Sequence, residues 1–181
     1  MLHLALKGGL PLVFALAVLV LPTYALAAPA PRTILIHDEC DQSSFNAAIG
    51  PGTCTRNGGV PFSTFINQFN RLQQVPEWHF TPDKVQLKPG EAFVATNVGG
   101  ELHSFTEVAA FGGGVVPTLN TFAGATRPEC AAAFSAFLGG AGPSSSFVRP
   151  GQSTPPDVPS GTELYQCCIH PWMHAVISVK P

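Results

Sequence analysis

The sequence predicts an all-β domain of short strands joined by many turns, and three observations support it. The 181 residues are 45% hydrophobic and only 11% charged, enough apolar surface for one core. The 18 glycines and 18 prolines are scattered between short apolar runs rather than gathered into a repeat. Several of those runs are bounded by turn signals such as Lys88-Pro89-Gly90-Glu91, the pattern of strand, turn and strand. A formal net charge of -2 offers no basic footprint for nucleic acid, so nucleic acid is not an expected partner.

The chain divides into three parts. Residues 1–27 read as an export signal: Lys7, an apolar stretch from Leu10 to Leu21, and small residues before an expected cleavage after Ala27. Pro11 and Pro22 interrupt that stretch, which is short of the ~20 residues a spanning helix needs, so no stable membrane anchor is expected after cleavage. The protein is therefore expected to be exported, to a periplasm or outside the cell. Residues 28–75 are expected to form an N-terminal extension packed on the main domain. There Thr33 to Ile36 suits a strand, and Phe62, Phe65, Ile66, Phe69 and Leu72 recur at the spacing of one helix face, which reads as core.

Residues 76–181 form the main domain. Trp78 to Leu87 and Ala92 to Asn97 read as strands around the Pro-Gly turn, and Glu101 to Val108 reads as a strand carrying His103. An insertion at about 109–146 is Gly-rich at first. Thr126-Arg127-Pro128-Glu129 then has the form of a capping box opening a helix to Leu138. Short strands are expected at Ser146 to Val148, Gly161 to Cys168 and Ala175 to Val179. The stretch between Gly139 and Gly161 is Pro/Ser/Gly-rich, but the C-terminal segment beyond it is too short to fold alone, so no domain boundary is placed there.

Five cysteines, Cys40, Cys54, Cys130, Cys167 and Cys168, cannot all pair. In an oxidising compartment, the odd one is an intermolecular bridge, a free thiol or a metal-held thiolate. Cys40 and Cys54 bracket the turn-rich stretch NAAIGPGTC, and a disulfide closing that loop is expected. Cys167 and Cys168 are neighbours whose side chains would point to opposite faces of a strand. One of them can bind metal while the other bridges to Cys130.

The loop Cys167-Cys168-Ile169-His170-Pro171-Trp172-Met173 places a thiolate, an imidazole and a thioether at three-residue steps. These soft and intermediate donors suit copper in both oxidation states, and one distant histidine completes a His2Cys plane with a weak Met. Zinc would call for two well-spaced ligand pairs, which this chain lacks, although His174 sits beside the loop. His37, His79 and His174 are read as ordinary histidines.

CCIHPWM resembles the C-x-x-H-x-x-M ligand loop of the cupredoxins. FTPDKVQLKPGEAFVATNVGGELHSFT is similar to the same family's strands leading to the first ligand histidine. The resemblance covers roughly Trp78 to Lys180. It implies a cupredoxin-like Greek-key β-sandwich with a helical N-terminal extension and a helix-containing insertion. It also implies one type 1 copper held by His103, Cys167, His170 and Met173, with the C-x-x-H spacing selecting Cys167 over Cys168. Ser104 follows His103 where many members use Asn to tie the ligand loops together.

The implied function is one-electron transfer with a redox protein partner, through an exposed edge of His170, and not enzymatic catalysis. The His-x-His pairs that the trinuclear site of a multicopper oxidase needs do not occur. Glu101 is read as a solvated strand residue that could alternatively enter the site as an oxygen ligand. Trp172 and Pro171 are expected to border an apolar patch beside His170. The alternative reading is an exported copper-binding or copper-delivery protein without rapid redox exchange, against which the presence of only Met1 and Met173 argues.

Overall fold

The computed structural model describes residues 29–140 and 146–180. The expected export signal lies outside the described residues. Among the described residues no helix is long and apolar enough to cross a membrane.

Strand β1 (Arg32–His37) runs between β2 (His79–Thr81), antiparallel to it, and β4 (Phe93–Asn97), parallel to it. Segment 28–75 thus contributes the middle strand of a three-stranded sheet. The second sheet has the order β3-β9-β8-β6, built from β3 (Lys84–Leu87), β6 (Thr106–Val108), β8 (Thr162–Gln166) and β9 (His174–Val179). β3 and β9 pair in parallel, and β8 pairs antiparallel with both β9 and β6. A short ladder joins β5 (His103–Ser104) to β7 (Phe147–Val148). The sequence reads Glu101 to Val108 as one strand, but Phe105 breaks it. Its N–H is taken by Ser146 outside either sheet ladder, and its buried ring stacks on Tyr165 with centroids 4.6 Å apart.

Buried side chains alternate along β1, β3, β4 and most of β9, as a two-residue period requires. Ile34, Ile36, Phe93 and Ala95 meet Val85, Leu87, Ala175 and Ile177 in one apolar core. Three helices sit outside this sandwich: α1 (Gln42–Ala48), α2 (Phe62–Leu72) and α3 (Pro128–Leu138). The periodic face of α2 is as expected for Phe65 and Phe69, which are buried. Leu72 departs from it and is half exposed, because the helix ends there and Gln73 turns into the left-handed region at φ 61°.

α1 lies where the sequence suggests only a loop. Asp41 caps it, its carboxylate accepting the Ser44 N–H at 2.9 Å. The capping box expected at Thr126 does not form: Arg127 occupies the cap position without a side-chain bond. The Thr126 hydroxyl instead donates to the Gly114 carbonyl, and Glu129 accepts the Ala109 N–H. Disulfides join Cys40 to Cys54 and Cys130 to Cys168, and Cys167 is free and buried. The second bridge ties α3 to the sheet edge over a small core of Val108, Phe147, Phe134 and Phe137.

Candidate metal centre

Cys167 ends the β8 side of the last hairpin, and its N–H donates to the Met173 carbonyl while the Met173 N–H donates to His170. These bonds fold residues 167–173 into a tight loop. The Cys167 sulfur accepts two backbone N–H groups, from Ser104 and His170, each at 3.4 Å. It lies 3.7 Å from His103 Nδ1 and 3.8 Å from His170 Nδ1. Both separations fall within the span of one ion bonded at about 2.0–2.3 Å to each donor. The structure thus brings His103, Cys167 and His170 together as a group that could hold a metal ion, with their donor atoms within 4.8 Å of one another. Met173 is buried in the same core as Cys167. His37 and His79 stack on each other at 4.8 Å, and His174 stacks on Phe111 at 3.9 Å, so ring contacts account for all three.

Electrostatics favour an anionic sulfur. Burial alone would push the Cys167 thiol up, but hydrogen bonds and positive charge from His103 and His170 hold it well below its ordinary value. Burial likewise opposes the His103 imidazolium, yet hydrogen bonds to Asp38 and Cys167 raise it to about 10. Asp38 is buried too. Its hydrogen bond and charge contact with His103, helped by the Glu101 and Gly100 N–H groups, hold it well below the carboxylate range.

Neither acidic neighbour is singled out by sequence reasoning as this structure presents it. Asp38, at the end of β1, places Oδ2 2.8 Å from His103 Nε2. Glu101 is not a solvated strand residue. It is 6% exposed, accepts the Trp78 indole N–H at 2.7 Å, and lies 3.7 Å from His170 Nε2. Burial pushes its carboxyl up, partly offset by the two histidines and the indole. The sequence signal for Asp38 is an acidic residue next to a turn, which is too common to be read, and that for Glu101 is its place two residues before His103.

Ser104 ties the segment of His103 to that of Cys167. Its hydroxyl accepts the Cys168 N–H at 2.7 Å and a hydrogen bond from Thr106 at 3.0 Å, joining the two ligand segments. Asn97 supports the other side, donating to the Glu101 and Val148 carbonyls at 2.7 and 2.9 Å.

The exposed edge expected of His170 is absent. The residue is 3% exposed, because helix α2 and the Trp78 segment lie over the ligand loop. The rings of Trp172, Phe65 and Trp78 stand 5.4, 6.2 and 6.3 Å from its own. Pro171 is buried and Trp172 half-buried against Phe65 and Phe69, so their role here is packing. A cavity of about 570 Å³ reaches the site from the side, lined among others by Phe65, Ile66, Glu101, Leu119, Ile169 and His170.

A buried thiol between two imidazoles, on adjoining loops of a β-sandwich, defines a candidate mononuclear metal centre. No protein-family model matches the chain, and no curated protein sequence does. Among solved structures the chain is similar to cupredoxins. A purple cupredoxin from Nitrosopumilus maritimus shares 12% identity over 82% of this chain and 99% of its own, with a TM-score of 0.40. Amicyanin from Paracoccus versutus shares 17% over 59% of this chain and 77% of its own, with a TM-score of 0.35.

Proposed function

We propose that this chain is an exported mononuclear type 1 copper protein acting in one-electron transfer. The observation that carries the reading is Cys167: the one described cysteine outside a disulfide, fully buried, with two imidazole nitrogens 3.7 and 3.8 Å from its sulfur. A free thiol in a chain with two disulfides would be a liability unless something holds it. The donor set fits copper: one thiolate, two imidazoles and a thioether on the same loop. His103, Cys167, His170 and Met173 would hold the ion, which would supply a one-electron Cu(I)/Cu(II) couple.

The protein's own part is to hold these donors still. Ser104 and the two N–H groups on sulfur fix Cys167, and the rings of Phe65, Trp78 and Trp172 cover His170 except where the side cavity reaches it. A redox protein partner would meet that cover rather than the imidazole edge.

Adding copper(II) to the metal-free protein tests the reading. An intense visible thiolate-to-copper absorption is expected, lost in Cys167→Ser. A colourless adduct, or colour that survives the substitution, would refute it.

The burial of His170 favours a second reading, copper binding or delivery without rapid exchange. Here the same colour would appear, and electron self-exchange would be too slow for a carrier.

A further inference from the structure

Asp38 stands 65 residues from His103 in sequence, and the four-ligand copper reading does not use it. Its side chain is fully buried and its carboxylate is saturated. Oδ1 accepts the Cys40 and Gly100 N–H groups at 3.1 and 3.0 Å. Oδ2 accepts the Glu101 N–H at 3.0 Å and faces His103 Nε2 at 2.8 Å.

An ionised carboxylate only accepts hydrogen bonds, and three N–H donors already point at this one, so the proton of the fourth contact sits on His103 Nε2. Nδ1, the nitrogen turned to Cys167, is then the one that can give up its proton and take a metal. The surroundings are shaped to this carboxylate. A side chain on Gly99 would collide with the Asp38 carboxylate, and the Cys40 to Cys54 bridge anchors the chain two residues later. Arg56 also bonds the Asp38 carbonyl at 3.4 Å.

We propose that Asp38 is a positioning residue of the metal centre, which keeps the proton of His103 on Nε2 so that Nδ1 is the nitrogen given to the ion, and whose charge favours the more oxidised ion. The proposal rests on the copper reading and gives the N-terminal segment a role in it. A buried negative charge one imidazole away from the ion is weakly screened, and it stabilises the state with the extra positive charge. Outer partners of this kind orient ligand histidines and raise their basicity.

Two substitutions separate geometry from charge. Asp38→Asn keeps an acceptor oxygen for the Nε2 proton and removes the charge. Its blue-copper absorption should persist, while the ratio of Cu(II) to Cu(I) affinity falls about tenfold, a rise of about 59 mV in the one-electron potential. Asp38→Ala removes both and should lower metal affinity about 10- to 100-fold. Glu39→Gln is the control: its partly exposed carboxylate pairs with Arg56 and has no contact with His103, so the affinity ratio should stay within about twofold.

An Asp38→Asn shift no larger than that of Glu39→Gln overturns the proposal. Should the Asp38 variants not fold, nitrogen-15 NMR of the wild-type protein decides. In the Cu(I) form a slowly exchanging proton on His103 Nε2 supports it, and a proton on Nδ1 or a bare Nε2 overturns it. If the wild type shows no thiolate-to-copper band, the copper reading has failed rather than this one. The same NMR measurement on zinc-loaded protein then still tests Asp38.

Discussion

The same contacts lower the Cys167 thiol and raise His103, and this sets the proton balance of metal uptake. An ion taking Nδ1 must displace the proton that Asp38 and Cys167 together hold on His103 up to about 10, whereas the already depressed Cys167 thiol has none left to give. Lowering the pH refills His103 and competes with the metal. The apparent affinity should therefore rise about tenfold per pH unit towards about 10 and then level off, with about one proton released per ion at pH 8. Calorimetry in buffers of different ionisation enthalpy counts that proton, and a count of zero or two would refute the assignment of the thiolate and imidazolium. Cys167, His170 and Met173 stood out by residue type and three-residue spacing, and His103 by the resemblance of its strand to the cupredoxins. Asp38 was not legible, and Glu101 was read first as solvated and only alternatively as a site residue, because their places come from contacts that only the folded chain makes: Asp38 reaches His103 across 65 residues, and Glu101 accepts the Trp78 indole N–H.

Two helices added to the sandwich act on the site in different ways. α2 is a lid: Phe65, 3% exposed, packs against Trp78 and Trp172 and stands 6.2 Å from the His170 ring. Phe65→Ala should cost about 3–5 kcal/mol of stability and, by uncovering His170, speed electron self-exchange of the copper-loaded protein. An unchanged rate with the absorption band intact would show that exchange does not pass His170. α3 is held by the Cys130 to Cys168 bridge, which closes 38 residues and removes unfolded-state freedom. Replacing both cysteines by alanine should cost up to about 4 kcal/mol in denaturant melts while leaving the band in place. Loss of the band would mean that the bridge, one residue from Cys167, also sets the thiolate. The periodic apolar face made α2 legible. α1 was missed because a seven-residue helix with one buried residue, Phe45, carries almost no period, and its only signal was the Asp41 cap.

At the scale of the whole molecule, the strands of the sandwich were readable because each short apolar run is fenced by turn residues. The partnership of the N-terminal segment with the main domain was not, since nothing in Arg32–His37 says that it runs parallel to β4, 61 residues later at the Arg32 to Phe93 pair. That pairing has an energetic consequence. Ile34 and Ile36 of β1 are fully buried in the core, Asp38 follows directly, and His103, Cys167 and His170 come from the main domain, 65 or more residues further on. The candidate metal centre is thus assembled only when both parts are folded together, and an ion bound there would stabilise the native state alone. At a free copper concentration of about 1,000 times the dissociation constant, the gain is about 4 kcal/mol. For a domain of this size that corresponds to a rise of roughly 8–16 °C in melting temperature. Calorimetric scans with copper, then with a chelator, measure it. The rise should vanish in Cys167→Ser, and an equal rise in that variant would place the ion elsewhere in the molecule.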